Sequence, residues 1–186
     1  MADPLESIDR HHLLSPIAEA STPGVIWDGP AVIATDGSVS HHNGHAGWGW
    51  ISNRGAFGLG ALGSTHDVCH SELSGVRDAL ARVRDGRQVE VLVDSTEAIS
   101  LIDRYIREGD SSVFVSRRRR AALRGLDRTP VREVTISKVA GHSGHPLNEG
   151  ADRLSKLARR ASEGGLEPAT VWKQACGIRD DVMAAL

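Results

Sequence analysis

Apolar and polar residues begin to alternate regularly at Ala31. The β-branched run AVIAT precedes Asp36, and the glycine-rich segments GWGWIS and AFGLGALG carry apolar residues at alternate positions. Alternation with a period of two is typical of strands that bury one face. We therefore expect three consecutive strands, joined as a meander, between Ala31 and Gly63.

A helical period replaces this alternation in the segment SELSGVRDALARVRDG. Four apolar residues recur there on one stripe: Leu73, Val76, Leu80 and Val83. This spacing predicts a helix from Ser71 to Arg84, which Gly86 ends. The polarity pattern thus changes from strand to helix within a few residues.

The second half of the chain continues the alternation of strands and helices. VEVLVD predicts a strand, STEAISLIDRYI a helix capped by Ser95, RRRRAALRGL another helix and VREVTISKV a strand. NEGADRLSKLARRA predicts a helix that Asn148 caps and that Gly164 and Gly165 break. The remaining residues to Leu186 are expected to add a further helix.

The predicted element order is typical of an α/β layered domain. Three strands, a helix, a strand, two helices, a strand and a helix form a mixed sheet with helices on its faces. The first 28 residues have weak periodicity and several prolines, so we interpret them as a flexible extension. Residues 29–162 are expected to form the domain, and residues 163–186 a C-terminal extension that is partly helical.

Composition narrows the class of protein. The chain has 186 residues and a net charge of −2, which suits one globular domain. No apolar run is long enough to span a bilayer, and the first residues lack a secretory signal pattern. Cys69 and Cys176 are far apart and fit neither a metal site nor a disulfide framework. We expect a cytoplasmic monomer that has no membrane partner.

Positive charge is concentrated in one segment, Ser116 to Arg132, which carries seven arginines and one aspartate. Two interpretations are equally supported: a solvated helix face, or a surface that binds phosphates. Four consecutive arginines, Arg117 to Arg120, cover every side of a helix. Some of them must therefore face solvent in either case.

Acidic residues stand at the ends of two predicted central strands. Asp36 follows AVIAT and Asp94 follows VEVLV, where a carboxylate is costly to bury without a partner. A single aspartate at such a place is more often a turn former or a helix cap. Two such aspartates at strand ends in one small sheet weaken that interpretation. On a helical wheel, Glu72 falls beside the apolar stripe and is predicted to face the sheet.

The segment VAGHSGHPLNEGADRLSKLA contains more polar groups than a turn requires. His142, His145, Asn148 and Asp152 lie within a few residues of one another, although periodicity alone places Asp152 on a polar face. If Asp36, Glu72, Asp94 and Asp152 converge, their repulsion favours binding of a divalent cation. Mg²⁺ prefers such oxygen ligands together with phosphate oxygens, and two ions can promote phosphodiester hydrolysis.

The motifs ATDGS, SELSGVRDAL, VLVDS and VAGHSGHPLNEGADRLSKLA occur in the order and approximate spacing of type 1 ribonuclease H, which the chain resembles from Val32 to Arg160. The resemblance implies a ribonuclease H-like fold: a five-stranded mixed sheet, three antiparallel strands then two parallel, flanked by helices. It implies an endonuclease that cleaves the RNA strand of RNA/DNA hybrids and leaves 5′-phosphate and 3′-hydroxyl ends. The expected cofactor is Mg²⁺, two ions per site, which Mn²⁺ can replace.

The resemblance also assigns residues. Asp36, Glu72, Asp94 and Asp152 match the metal-binding acids of the family, and His142 matches a loop histidine thought to assist proton transfer or product release. The residues predicted to contact nucleic acid, from their position or their charge, are the following: Gly37, Ser38, Asn43, Arg117, Arg118, Arg119 and Arg120.

Some positions depart from the family pattern. VSHHNGH replaces the usual loop after the first Asp-Gly-Ser, and Val68 and Cys69 stand where many members have asparagines that contact the hybrid. Cys69 is expected to be a small buried apolar residue. Four histidines are expected to be surface or substrate-edge groups: His41, His42, His45 and His70. Two other functions stay open: a DNA nuclease of the same fold, and a hybrid-binding module without catalysis.

Overall fold

The structure is a computed structural model that describes residues 30–82, 88–110, 115–127 and 133–186. The predicted N-terminal extension, residues 1–28, lies outside this part of the chain. The end of the first predicted helix near Gly86 and the start of the last predicted strand also lie outside it.

The sheet has five strands in the spatial order β3-β2-β1-β4-β5. Their bounds are β1 Ala31–Val39, β2 His45–Ser52, β3 Phe57–Ser64, β4 Gln88–Val93 and β5 Glu133–Lys138. The first three strands pair antiparallel, whereas β4 pairs parallel with both β1 and β5. This topology confirms the predicted mixed sheet.

Helices cover both faces of the sheet. Their bounds are α1 Val68–Arg82, α2 Thr96–Glu108, α3 Arg117–Leu126, α4 Pro146–Gly164 and α5 Pro168–Ala185. Buried side chains of α1, α2 and α3 share one apolar core with the sheet, and those of α4 and α5 share the other. The predicted α/β layered class is therefore correct.

Three predicted boundaries are wrong. Asp36 lies inside β1, because pairing with β2 continues to Val39. The first helix begins at Val68, three residues before the predicted start. The helix α4 begins at Pro146, a residue suited to the first helical position, so Asn148 is a buried residue of the first turn and His145 is the N-cap. The predicted cap at Ser95 is confirmed by its bond from the Ala98 amide, 3.2 Å long.

Glycines let two helices approach the sheet closely. A Cβ atom on Gly37 of β1 would lie 2.5 Å from the Glu72 nitrogen of α1, and one on Gly49 of β2 would lie 2.6 Å from Cβ of Leu154 in α4. Neither approach leaves room for a side chain. Both helices are thus held directly against the strands that carry or adjoin Asp36.

The C-terminal segment adds α5 to the second core. Val171, Ala175, Ile178 and Val182 of this helix are buried, and Val182 packs beside Gly150 of α4. Among the described residues, no helix combines the length and the apolar character needed to cross a membrane.

Candidate metal centre

Three carboxylates meet at one edge of the sheet. One oxygen from each of Asp36, Glu72 and Asp94 lies within 4.8 Å of the other two. The register explains this meeting, because Thr35 of β1 pairs with Val93 of β4 and places the next residues, Asp36 and Asp94, side by side. The first part of α1, which packs on one face of the sheet, places Glu72 beside these two aspartates. The resemblance to type 1 ribonuclease H implied that these three side chains and Asp152 belong to one site.

Burial and mutual repulsion make this cluster unfavourable as three free anions. Burial raises the pKa of Asp36 to about 7, with further upward contributions from Asp94 and Asp152 and a downward one from a Ser155 hydrogen bond. Burial, followed by the charges of Asp36 and Asp94, raises the pKa of Glu72 well above its usual value. The Oε2 atom of Glu72 is buried without a hydrogen-bond partner.

A divalent cation fits these observations. An unpartnered buried carboxylate oxygen lies beside two other carboxylates, and hard cations such as Mg²⁺ prefer oxygen ligands of this kind. Ionised carboxylates are costly to bury unless they are paired or coordinate a metal. The residues present can therefore hold the expected metal.

Two neighbours fix the carboxylates. The Gly37 amide donates a hydrogen bond to Glu72, and the buried Ser155 hydroxyl donates one to Oδ2 of Asp36. Sequence analysis did not identify Ser155. A signal was available, since Ser155 is a polar residue adjacent to Leu154 on the buried side of α4.

Asp152 lies beside the three-carboxylate cluster and not within it. Its charge contributes to the raised pKa of Asp36, but its carboxylate pairs with Lys156 one turn later, at an N–O distance of 2.8 Å. Asp152 is half-buried, so the solvated position inferred from periodicity is only partly correct.

The loop before α4 begins at the cluster. A Cβ atom on Gly141 would lie 3.1 Å from Oδ2 of Asp94. The next residue, His142, is exposed and has a φ of 53°, a left-handed conformation unusual for a residue other than glycine. The structure thus places His142 next to the residue that lies against Asp94.

Three residues predicted to contact RNA have partners within the protein. The Gly37 amide points to Glu72, the Ser38 hydroxyl accepts from Nε of Arg159 at 3.1 Å, and Oδ1 of Asn43 accepts from the His45 amide at 3.1 Å. These hydrogen bonds within the protein do not test the predicted contact with nucleic acid.

Two of the four consecutive arginines, Arg119 and Arg120, form ion pairs with acidic side chains. Arg119 contacts both oxygens of Asp67, with Nε–O distances of 2.9 and 2.8 Å, and it binds Glu97 at 2.6 Å. Arg120 lies 3.8 Å from Asp110. Asp67 directly precedes α1 and Glu97 lies in the first turn of α2, so Arg119 joins the starts of these two helices. Arg117 and Arg118 are exposed and are better placed to contact phosphates.

Cys69 is buried, as expected of a small apolar residue, and both cysteines are free thiols. Burial raises the pKa of the Cys69 thiol to about 12. A thiol with so high a pKa is unreactive at neutral pH. His41 and His42 are exposed in the turn after β1, whereas His70 is half-buried in α1.

The raised pKa of Asp36 predicts how stability changes with pH when no metal is bound. Between the unfolded value of 3.8 and the folded value of about 7, only the folded protein keeps this proton. Stability is therefore highest below this range and falls as pH rises through it, by about 3 kcal/mol between about pH 5 and pH 8.

Urea unfolding in EDTA at these two pH values measures the effect. The Asp36→Asn variant carries no titrating group at this position, so its stability should fall by less over the same interval. An equal fall in both proteins would show that Asp36 is ionised throughout in the folded state.

The fold and the acidic site together define a class of protein. A sheet in the order β3-β2-β1-β4-β5, with acids on β1, on α1 and after β4, is a ribonuclease H-like fold with an acidic centre. The family model named RNase H matches residues 28–160. The chain therefore belongs to the RNase H family, a family of nucleases.

Individual relatives agree with this assignment. The chain is 28% identical over 137 residues to Ribonuclease H of Tropheryma whipplei strain Twist, covering 68% of this chain and 83% of the relative. It is 29% identical over 149 residues to Ribonuclease H of Hahella chejuensis, covering 71% and 95%.

A solved structure has the same fold. The N-terminal RNase H domain of rv2228c from Mycobacterium tuberculosis, determined as a fusion with maltose binding protein, superimposes with a TM-score of 0.56 at 20% identity. The likeness covers 74% of this chain and 99% of that one.

Proposed function

We propose that the protein is an endonuclease that hydrolyses the RNA strand of RNA/DNA hybrids and leaves 5′-phosphate and 3′-hydroxyl ends. The observation that carries the proposal is the approach of Asp36, Glu72 and Asp94 within 4.8 Å in a chain of the RNase H family. A hybrid-binding module without catalysis has no need of three crowded carboxylates, two of them buried.

The proposed ligands of two Mg²⁺ ions, or of Mn²⁺ in their place, are Asp36, Glu72, Asp94 and Asp152. When bound, such ions neutralise phosphate oxygens, activate a water molecule and stabilise the leaving oxygen of an in-line displacement. The chain supplies the fixed geometry: the Gly37 amide orients Glu72 and the Ser155 hydroxyl orients Asp36. Without metal, the negative charge of the cluster would repel a phosphodiester, so activity should require a divalent cation.

An assay of product ends tests the proposal. A hybrid with labelled RNA is incubated with Mg²⁺, and the fragments are tested for extension by a polymerase and for loss of terminal phosphate to phosphatase. Extendable 3′ ends and phosphatase-sensitive 5′ ends are expected, and EDTA should stop the reaction. Fragments that carry 3′-phosphate or cyclic phosphate would contradict the metal-dependent route, because such ends arise from attack by the RNA 2′-hydroxyl.

His142 is proposed to assist proton transfer or product release. It is exposed, and its loop lies against Asp94 through Gly141. An imidazole near a reacting phosphate can exchange protons at neutral pH without taking part in docking. We expect His142→Ala to lower kcat roughly tenfold or more, with little change in hybrid affinity.

The left-handed backbone at His142 calls for a second variant. Asparagine adopts this conformation more readily than alanine, so His142→Asn removes the imidazole with less backbone strain. Ser143→Ala serves as a control in the same loop. Equal losses of affinity and kcat in both His142 variants would make this residue a substrate contact instead.

A further inference from the structure

A basic groove of about 450 Å³ lies between α4 and α5, on the side of the sheet opposite α1 to α3. Four cationic side chains and one acidic side chain contribute to its lining: Arg153, Lys156, Arg159, Arg160 and Asp181. We call it the α4–α5 groove. Its excess of positive charge suits a polyanion, whereas the whole chain has a net charge of −2.

Three of the four cations of the α4–α5 groove are exposed, whereas Arg159 is half-buried, pairs with Glu163 at 2.8 Å and donates to the Ser38 hydroxyl. Arg153 lies 2.7 Å from Asp181, and both side chains are about half exposed or more, at 46% and 63%. Arg160 is exposed, and its Nε donates to the backbone oxygen of Lys156 at 3.3 Å. Exposed pairs of this kind contribute little to stability, so a phosphate can take the place of a carboxylate at low cost.

The groove is continuous with the acidic centre. Lys156 pairs with Asp152, and Nε of Arg159 donates to the Ser38 hydroxyl, two residues after Asp36 on β1. An α-helix rises about 1.5 Å per residue, so Arg160 lies about 12 Å along α4 from Asp152, which corresponds to about four base pairs. A duplex cleaved at the centre would reach the groove within half a turn.

The presence of glycine at position 177 of α5 is consistent with close approach of a ligand's backbone to this helix. Gly177 lines the groove inside a helix, where glycine costs about 1 kcal/mol relative to alanine. Apart from the backbone of α5 itself, no atom of the described residues would lie within 4 Å of a Cβ atom there, so packing in this part of the chain does not require glycine. The α5 helix also lies beyond residues 28–160, which the family model matches.

From these observations we propose that the α4–α5 groove binds the phosphate backbone of the substrate duplex beyond the scissile phosphodiester. The bound groups are phosphates in a continuous strand, held by Arg153, Arg160 and Lys156 without reading the bases. This inference rests on the proposed function. It adds a second contact region, whose cations stand on α4 and whose other wall, α5, lies outside the residues that the family model matches.

The test compares two lengths of hybrid in the catalytically silent Asp94→Asn background, with Mg²⁺ present. One hybrid has about 24 base pairs. The other is closed by a hairpin and has about 6, so it extends only about three base pairs to either side of its middle and stops short of Arg160, about four base pairs from the centre. The double substitution Arg153→Gln and Arg160→Gln should weaken binding of the long hybrid roughly tenfold at low salt. It should also reduce the slope of log affinity against log salt by about 2, with the short hybrid nearly unaffected.

Two further variants serve as a control for loss of charge and as a test of the ion pair of Arg153. Arg104→Gln with Arg107→Gln removes the same charge from an exposed part of α2, on the opposite face of the sheet, and should leave both hybrids unaffected. Asp181→Asn frees Arg153 from its carboxylate partner and should tighten binding of the long hybrid. A purely structural role of Arg153 predicts no such gain.

The outcomes separate this inference from the proposed function. If the Asp94→Asn parent protein binds neither hybrid and the wild type cleaves none, the proposed function fails. If the parent binds the long hybrid and the groove variant binds it with an unchanged salt slope, the groove proposal is overturned. Equal weakening for both lengths overturns it as well, because the arginines would then act at the centre or through the fold.

Discussion

Replacing Asp94 by asparagine should abolish turnover and raise the thermal stability of the metal-free protein. Asp94 is one of three acids whose oxygens lie within 4.8 Å, and its charge contributes to the raised pKa of both Asp36 and Glu72. Asparagine keeps the shape but removes the charge of a proposed metal ligand, so we expect the rate of hybrid cleavage to fall by roughly 10³-fold or more. The relief of repulsion should raise Tm in EDTA by about 2–4 °C.

The two effects are measured on the same preparation by single-turnover cleavage in Mg²⁺ and by thermal unfolding in EDTA. Asp103→Asn, at an exposed position of α2, is the matched control and should change neither quantity. Wild-type rates in Asp94→Asn would remove this residue from the site. A lower Tm in EDTA would show that its charge stabilises the fold.

The polarity pattern predicted the sheet, and the resemblance to type 1 ribonuclease H predicted a site of four acids, three of which cluster in the structure. Strand alternation and helix period are local properties, and a carboxylate directly after a buried strand is unusual by itself. Glu72 was predicted to face the sheet because it adjoins an apolar stripe, and it is 4% exposed.

Features that depend on contacts between distant segments were missed. Ser155 lies 119 residues from Asp36 in sequence, and only the packing of α4 beside β1 brings the two together. Arg119 was predicted to bind nucleic acid because local charge density does not reveal that Asp67 and Glu97 lie within its reach. The predicted start of α4 was also wrong, because Asn148 is a favoured capping residue, whereas the helix begins at Pro146 with His145 as its N-cap.

Selectivity for RNA paired with DNA is the second large effect that we expect. A site that requires the 2′-hydroxyl leaves polar groups unpaired on a DNA strand, and loss of such a contact can reduce a rate by about 10⁴-fold. Selection for a DNA partner strand requires that the protein distinguish a hybrid from duplex RNA by shape. The residues proposed to contact the RNA strand are Gly37, Ser38 and Asn43, in or near the altered loop after Asp36.

The central claim is tested most directly by comparing four labelled substrates under Mg²⁺: an RNA/DNA hybrid, duplex RNA, duplex DNA and single-stranded RNA. We predict rapid cleavage of the RNA strand of the hybrid and cleavage of the other three slower by several orders of magnitude. Efficient cleavage of duplex RNA would show that the altered loop has relaxed partner-strand selection while the chemistry is kept. Cleavage of duplex DNA at a rate near that of the hybrid would contradict the account and favour a DNA nuclease built on the same fold.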